Sequence, residues 1–266
     1  MKFIVLKTKD GESKEEIAFC CGTLRVSRQG FYQYLANKNR PWKYQRLADA
    51  ILEILSEDEC NDTYGRIRMY QALTLRQPEN VEIPGERTVY RIMEETGIGH
   101  PPKRKPNGIT KADREARKSF DCYDSSVIGL AMDTNMKAPS CVQTLKNTVK
   151  AYPGICGAII HSDRGSQYTS RTYRDAIRQY GIQQSMNRAG GRCHDNARCE
   201  SMWARMKSEL LYDRYDTDKM TTDEVRTIIW RYFISYWNNR RICSANGGLP
   251  PMLKRQQYYD SLKAAA

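Results

Sequence analysis

At residue 120 the pattern of this sequence changes, and that change limits the fold more than any other feature. Upstream, apolar residues recur at helical spacing. Downstream, short apolar runs alternate with amphipathic stretches. A helical region followed by alternating strands and helices predicts an α+β protein. Its all-α N-terminal part precedes a layered α/β domain. The chain has 266 residues, of which 40% are apolar and 28% charged, enough to bury cores in two or three small domains.

Within the first part, residues 14–37 predict helix, tight turn, helix. Ile17, Ala18 and Cys21 supply an apolar face, Gly22 allows the turn, and Ser27 is a suitable N-cap. Arg25, Arg28 and Gln29 then stand near the start of the second helix, where helix-turn-helix proteins meet base edges. A plain helical hairpin with a basic surface fits the same residues. Leu47, Ile51, Ile54 and Leu55 predict a helix from Tyr44 to Ser56, with further helices over 64–73 and 83–93. Arg66, Arg68, Arg87 and Arg91 lie on these helices. Arg87 and Arg91, four apart, share a face suited either to phosphates or to solvent. Residues 99–119 carry seven Lys/Arg against two acids, Lys103, Arg104 and Lys105 among them, with three prolines. They predict a basic linker, extended at first and helical from Thr110.

The second part predicts strands over 127–132, 157–163 and 182–186, and helices over 139–152, 169–180 and 195–211. The middle strand reads as buried and ends at Asp163, where α/β sheets carry their chemistry. Glu200 lies in a helix N-capped by Asp195, with Lys207 along the same side. A strand-end Asp and a helix Glu can offer hard oxygen ligands to one divalent cation, although by spacing alone many α/β proteins hold such a pair.

Net charge is +12, divided as +5 over residues 1–119 and +7 over the rest, so no single basic tail accounts for it. A polyanion touched by more than one domain would suit this distribution. Nine cysteines occur without a C-x-x-C pair, and Cys193, His194 and Cys199 lack a fourth zinc ligand; reduced thiols are the simple reading. No apolar stretch has the length of a membrane span, and the opening run is too short for a signal peptide, so membrane and secreted classes are not expected.

Several longer words carry a resemblance: HSDRGSQYTS (161–170), SMNRAGGRCHDNARCESMWARMKSEL (185–210), YWNNRR (236–241) and Leu249-Pro250-Pro251. They resemble the DDE-type transposases of bacterial two-frame insertion sequences, specifically the second-frame protein, whose core is RNase H-like and related to retroviral integrases. TYGRIR (63–68) and RTVYRIME (87–94) resemble that family's helix-turn-helix-like segment, so the similarity covers almost the whole chain. The resemblance implies Asp163 and Glu200 as the second and third catalytic, metal-binding carboxylates. His161, Asn196 and Lys207 accompany the site, Lys207 also as a DNA contact. It further implies Mg²⁺ or Mn²⁺, double-stranded DNA at element ends and target, a homo-oligomer on DNA, and a cytoplasmic, nucleoid-associated location. The expected divisions are a helical DNA-binding region over 1–98, a basic linker over 99–119 and the core with a helical tail over 120–266.

One family feature is absent. The first catalytic Asp normally stands on the first, central strand of the core, in a Trp-x-x-Asp-Ile-Thr-like word, and no Asp-Ile-Thr occurs here. Residues 114–119 run directly into 120–125, which resemble the end of the family's second strand, as if a few dozen residues were deleted. Three outcomes follow: a transposase-lineage protein with impaired catalysis, a non-catalytic DNA-binding regulator or competitor, or an active enzyme in which Asp121, Asp124 or Asp133 substitutes.

Overall fold

The computed structural model describes residues 1–8, 14–38, 40, 42–99, 116–133, 137–187 and 197–265, and it is α+β. The chain divides into two compact units, Met1–Asp49 and Ala50–Ala266.

In the first unit, α1 (Lys2–Lys7), α2 (Lys14–Thr23) and α3 (Arg28–Lys38) bury Ile4, Val5, Ile17, Cys21 and Phe31 together. Ser27 caps α3 as its type predicts, its Oγ accepting the Gly30 N–H at 3.0 Å. The turn is made differently from expectation. Gly22 lies inside α2, and the left-handed residue is Arg25, with φ 51°. The Val26 N–H reaches the Cys21 carbonyl and the Arg25 N–H that of Gly22, a Schellman ending with arginine where glycine is usual. The short α1 was not foreseen.

The second unit contains most of α4 (Gln45–Ser56), then α5 (Arg66–Arg76) and α6 (Glu86–Glu95). Their apolar stripes are buried through Ile51, Ile54, Met69, Leu73, Val89 and Ile92. Gly97, with φ 74°, closes α6 in the left-handed conformation, the Ile98 N–H bonding the Met93 carbonyl.

Residues 116–119, expected within a helical linker, instead form with Phe120 the strand β1 (Ala116–Phe120), pairing antiparallel with β2 (Val127–Met132). Ladder pairing across the turn 121–126 overrides the weak helical tendency of this charged segment. Helix α7 (Ala138–Ala151) lies on β2 at Gly129, where an added Cβ would stand 2.9 Å from the Thr144 carbonyl oxygen. β3 (Ile159–Ser162) leads through a one-turn helix and α8 (Arg171–Gln179) to β4 (Gln183–Met186), and β3 and β4 pair in parallel. Among the described residues the strands form two separate two-stranded sheets, β1–β2 and β3–β4. β3 is therefore not the buried strand expected. It has one strand neighbour, and Ile159 is 70% exposed.

Helix α9 (Ala197–Met206) continues as a π-helical turn over Lys207–Leu211. Helix α10 (Thr222–Trp230) continues likewise over Arg231–Trp237, and α11 (Pro251–Ala265) closes the chain. The largest core joins Val127 and Leu130 of β2 to Met206 and Leu210 of α9 and to Ile229 and Phe233 of α10. A second core holds Leu145 of α7 with Tyr173 and Ile177 of α8.

Candidate active site and nucleic-acid surface

Asp163 follows the last residue of β3 and is half-buried. Its Oδ1 accepts the Gly165 N–H at 2.8 Å, which fixes the carboxylate at the strand end. His161 stands on β3, and both its ring nitrogens have protein partners: Nδ1 lies 3.0 Å from Ser185 Oγ, and Nε2 lies 2.7 Å from Asn187 Oδ1. With the Asn187 oxygen toward it, Nε2 donates, while the direction of the Nδ1–Ser185 hydrogen bond follows the tautomer. Arg164 Nε donates to the Asn187 carbonyl at 2.6 Å. These contacts tie the carboxyl ends of β3 and β4 together, so His161 orients the strand end and in this arrangement has no nitrogen left for a metal.

Glu200 lies exposed in the first turn of α9, where the helix dipole favours a negative charge. Lys207 is half-buried at the start of the π-helical turn. Asp195, Asn196, Lys103, Arg104 and Lys105 fall outside the described residues. Among the described residues no group of three His, Cys, Asp or Glu could hold a metal.

The acids nearest to where a substitute ligand would come from are engaged elsewhere. Asp124 is 1% exposed and takes Arg255 Nε of α11 at 2.6 Å, while Asp121 takes Arg255 Nη2 at 3.0 Å. The same guanidinium donates to Ser126 Oγ at 2.7 Å. These acids, one buried and both ion-paired, hold α11 against the β1–β2 turn. Asp133 is half-buried just beyond β2.

Among the basic candidates, Arg25, Arg28, Gln29 and Arg87 are exposed. Arg66 pairs with Glu86 at 2.5 Å and Arg91 with Glu95 at 3.8 Å, which lowers the net charge they present. Arg68 departs from expectation. Its Nη1 donates to Glu209 Oε1 at 2.8 Å and its Nη2 to the Thr63 carbonyl at 2.7 Å, so its charge is spent inside the unit. Arg241 grips the same carboxylate with both Nε (2.7 Å) and Nη2 (2.6 Å), and the Tyr232 hydroxyl donates to Oε2 at 2.8 Å. Burial would raise the Glu209 pKa, but the charge and hydrogen bonds of Arg241, with Arg68 and Tyr232, outweigh it and bring it down to about 2. Nothing local in sequence marks this cluster, whose members lie 23 to 141 positions from Glu209.

Two family models, both described as integrase core domains, match residues 119–192 and 180–251. The class is therefore that of proteins with an integrase core. The "Insertion element IS600 uncharacterized 31 kDa protein" of Shigella sonnei is 27% identical over 279 positions, covering 90% of this chain and 98% of that protein. The "Putative transposase InsK for insertion sequence element IS150" of Escherichia coli is 26% identical over 264 positions, covering 88% and 91%. A chain of the simian T-cell lymphotropic virus intasome aligns over 65% of each chain, with 14% identity and a TM-score of 0.38. Integrase-core similarity over residues 119–251 and similarity to insertion-sequence proteins over most of the chain together support a transposase of the insertion-sequence type.

This family suggests a divalent cation. The described residues do not fit one, since they bring no third donor to Asp163 and Glu200 and the neighbouring Asp121 and Asp124 are held by Arg255. No helix among the described residues is long and apolar enough to cross a membrane.

Proposed function

We propose that this chain binds double-stranded DNA at insertion-sequence ends as a transposase-lineage protein whose strand cleavage and transfer are impaired. The observation that carries this reading is the split core: among the described residues the strands form two two-stranded sheets, where the resemblance calls for one sheet with a central first strand. Removal of that strand takes away the first carboxylate and leaves both neighbours with an open edge. Among the described residues β3 has one strand neighbour, which accords with such an edge.

The alignment lengths accord in size with such a deletion. Alignment with the IS600 protein runs over 279 positions, yet 90% of this chain is only about 239 residues, so about 40 positions oppose gaps here. Alignment with "Transposase InsF for insertion sequence IS3A" of Escherichia coli runs over 291 positions against about 250 residues of this chain, a similar deficit. Asp163 and Glu200 are the two carboxylates retained. With two matched acids, the reaction loses a ligand from a site where metal-borne charge stabilisation is worth several kcal/mol, so transfer falls about a thousandfold or more. Asp121 and Asp124 are poor substitutes, because freeing either one leaves Arg255 with less counter-charge in a buried place.

DNA binding in this reading rests on exposed Arg25, Arg28, Gln29 and Arg87 and on the net charge of +12, with Lys207 near Glu200. The test is mobility shift of an element-end duplex by the full chain. Affinity should fall by orders of magnitude between about 50 and 200 mM salt if several phosphates are contacted. Absence of any shift at low salt would remove the DNA-binding reading.

A further inference from the structure

Three tyrosines on two elements of the second unit form an unbroken exposed aromatic surface. Tyr123, in the β1–β2 turn, lies against Tyr258 of α11 with ring centroids 5.3 Å apart, and Tyr258 lies 5.9 Å from Tyr259. They are 55%, 44% and 51% exposed, so about half of each residue is open to solvent. Their support is rigid. Arg255, one turn before Tyr258, joins α11 to Asp121, Asp124 and Ser126 of the turn. The turn is held again by Asn246 Nδ2 on the Asp124 carbonyl (2.7 Å) and by Trp237 Nε1 on the Ser125 carbonyl (2.8 Å). The Tyr123 N–H itself donates to Asp121 Oδ1 at 2.7 Å.

Positive charge accompanies the rings. Lys254 Nζ lies 5.6 Å from the Tyr123 ring centroid. Arg198, exposed in the first turn of α9, donates from Nη1 to the carbonyl of Cys122 at 2.7 Å, a neutral acceptor that leaves its charge uncancelled. Arg198 is two residues from Glu200, so the aromatic surface stands beside the first turn of the helix that carries that carboxylate.

We propose that Tyr123, Tyr258 and Tyr259, with Lys254 and Arg198, form a stacking platform for unpaired bases of single-stranded DNA. Aromatic faces accept any base, and cations set among them take the backbone phosphates. A duplex keeps its bases stacked inside, so the platform acts only on a frayed end or a displaced strand. The proposal rests on the DNA-binding reading and adds to it a ligand form and a location.

The test uses the full chain and two labelled probes of equal length, an oligothymidylate and a duplex, titrated by fluorescence anisotropy at low salt. The double variant Tyr258→Leu/Tyr259→Leu should weaken single-strand binding about tenfold or more and leave duplex binding unchanged. The pair Tyr258→Phe/Tyr259→Phe should retain it, since stacking uses the ring and not the hydroxyl. Single-strand binding by the leucine variant equal to that of the unaltered chain would overturn the platform, as would equal loss in the phenylalanine variant. If the unaltered chain binds duplex but not the oligothymidylate, the platform alone fails. If it binds neither probe, the DNA-binding reading fails with it.

Discussion

Glu209 is 4% exposed and faces two arginines and a tyrosine, an arrangement in which removing the single negative charge costs more than the ion pairs contribute. Glu209→Gln should destabilise the second unit by about 3–5 kcal/mol, read from the denaturant midpoint of the full chain. The pH dependence has a defined sign. Burial alone would raise this pKa from 4.5, but Arg241 and Arg68 hold it at about 2 in the folded chain. Its contribution is therefore complete above about pH 4.5 and is lost as pH falls toward 2. That loss amounts to about 3 kcal/mol, visible as an acid unfolding limb in circular dichroism that flattens in the glutamine variant. Arg25 is a second case decided at one residue. Its φ of 51° suits glycine, so Arg25→Gly should raise the thermal stability of the first unit by about 0.5–1 kcal/mol while weakening duplex binding if Arg25 meets DNA. Equal or lower stability in that variant would show that the arginine side chain makes a contact worth more than the strain.

At the scale of elements, close approach and buried charge explain which segments meet. Gly129 lets α7 lie against β2, and the Cβ of Gly129→Ala would press on Thr148 and on the Thr144 carbonyl. That variant should lose about 1–3 kcal/mol, measured by thermal unfolding. Arg255→Ala leaves Asp124 buried without its partner and should cost about 3–5 kcal/mol. It should also leave joining activity where it was, since the freed acids belong to the turn and not to β3 or α9. Apolar residues at helical spacing make α4, α7 and α8 legible, and the apolar run of β2 does the same for that strand, whereas β4, Gln183–Met186, carries no apolar repeat of its own. β1 was not legible. Its charged residues Arg117 and Lys118 carry no strand pattern, and pairing with β2 decides its conformation. The site divides in the same way. Asp163 and Glu200 stand out through the words around them, whereas the Arg255 and Glu209 clusters join residues more than a hundred positions apart and leave no local trace.

For the whole molecule, residues 50–98 fall in the same compact unit as the residues that match integrase core domains. Arg68 on Glu209 and the Ile242 N–H on the Tyr64 hydroxyl at 3.0 Å make that connection specific. DNA held by α5 and α6 would therefore be positioned directly against the core, and binding should be measured on the full chain. On the proposed function, the chain is a DNA-binding protein of transposase lineage that retains two of three carboxylates, and among the described residues its strands lie in two separate sheets. The most direct test is an Mg²⁺-dependent nicking and joining assay on a labelled element-end duplex, run at protein concentrations that shift the same duplex fully. The account predicts a complete shift with no joined product above that of a Glu200→Gln control. Robust joining that disappears in Asp163→Asn and in any one of Asp121→Asn, Asp124→Asn or Asp133→Asn would contradict it and identify the substitute ligand.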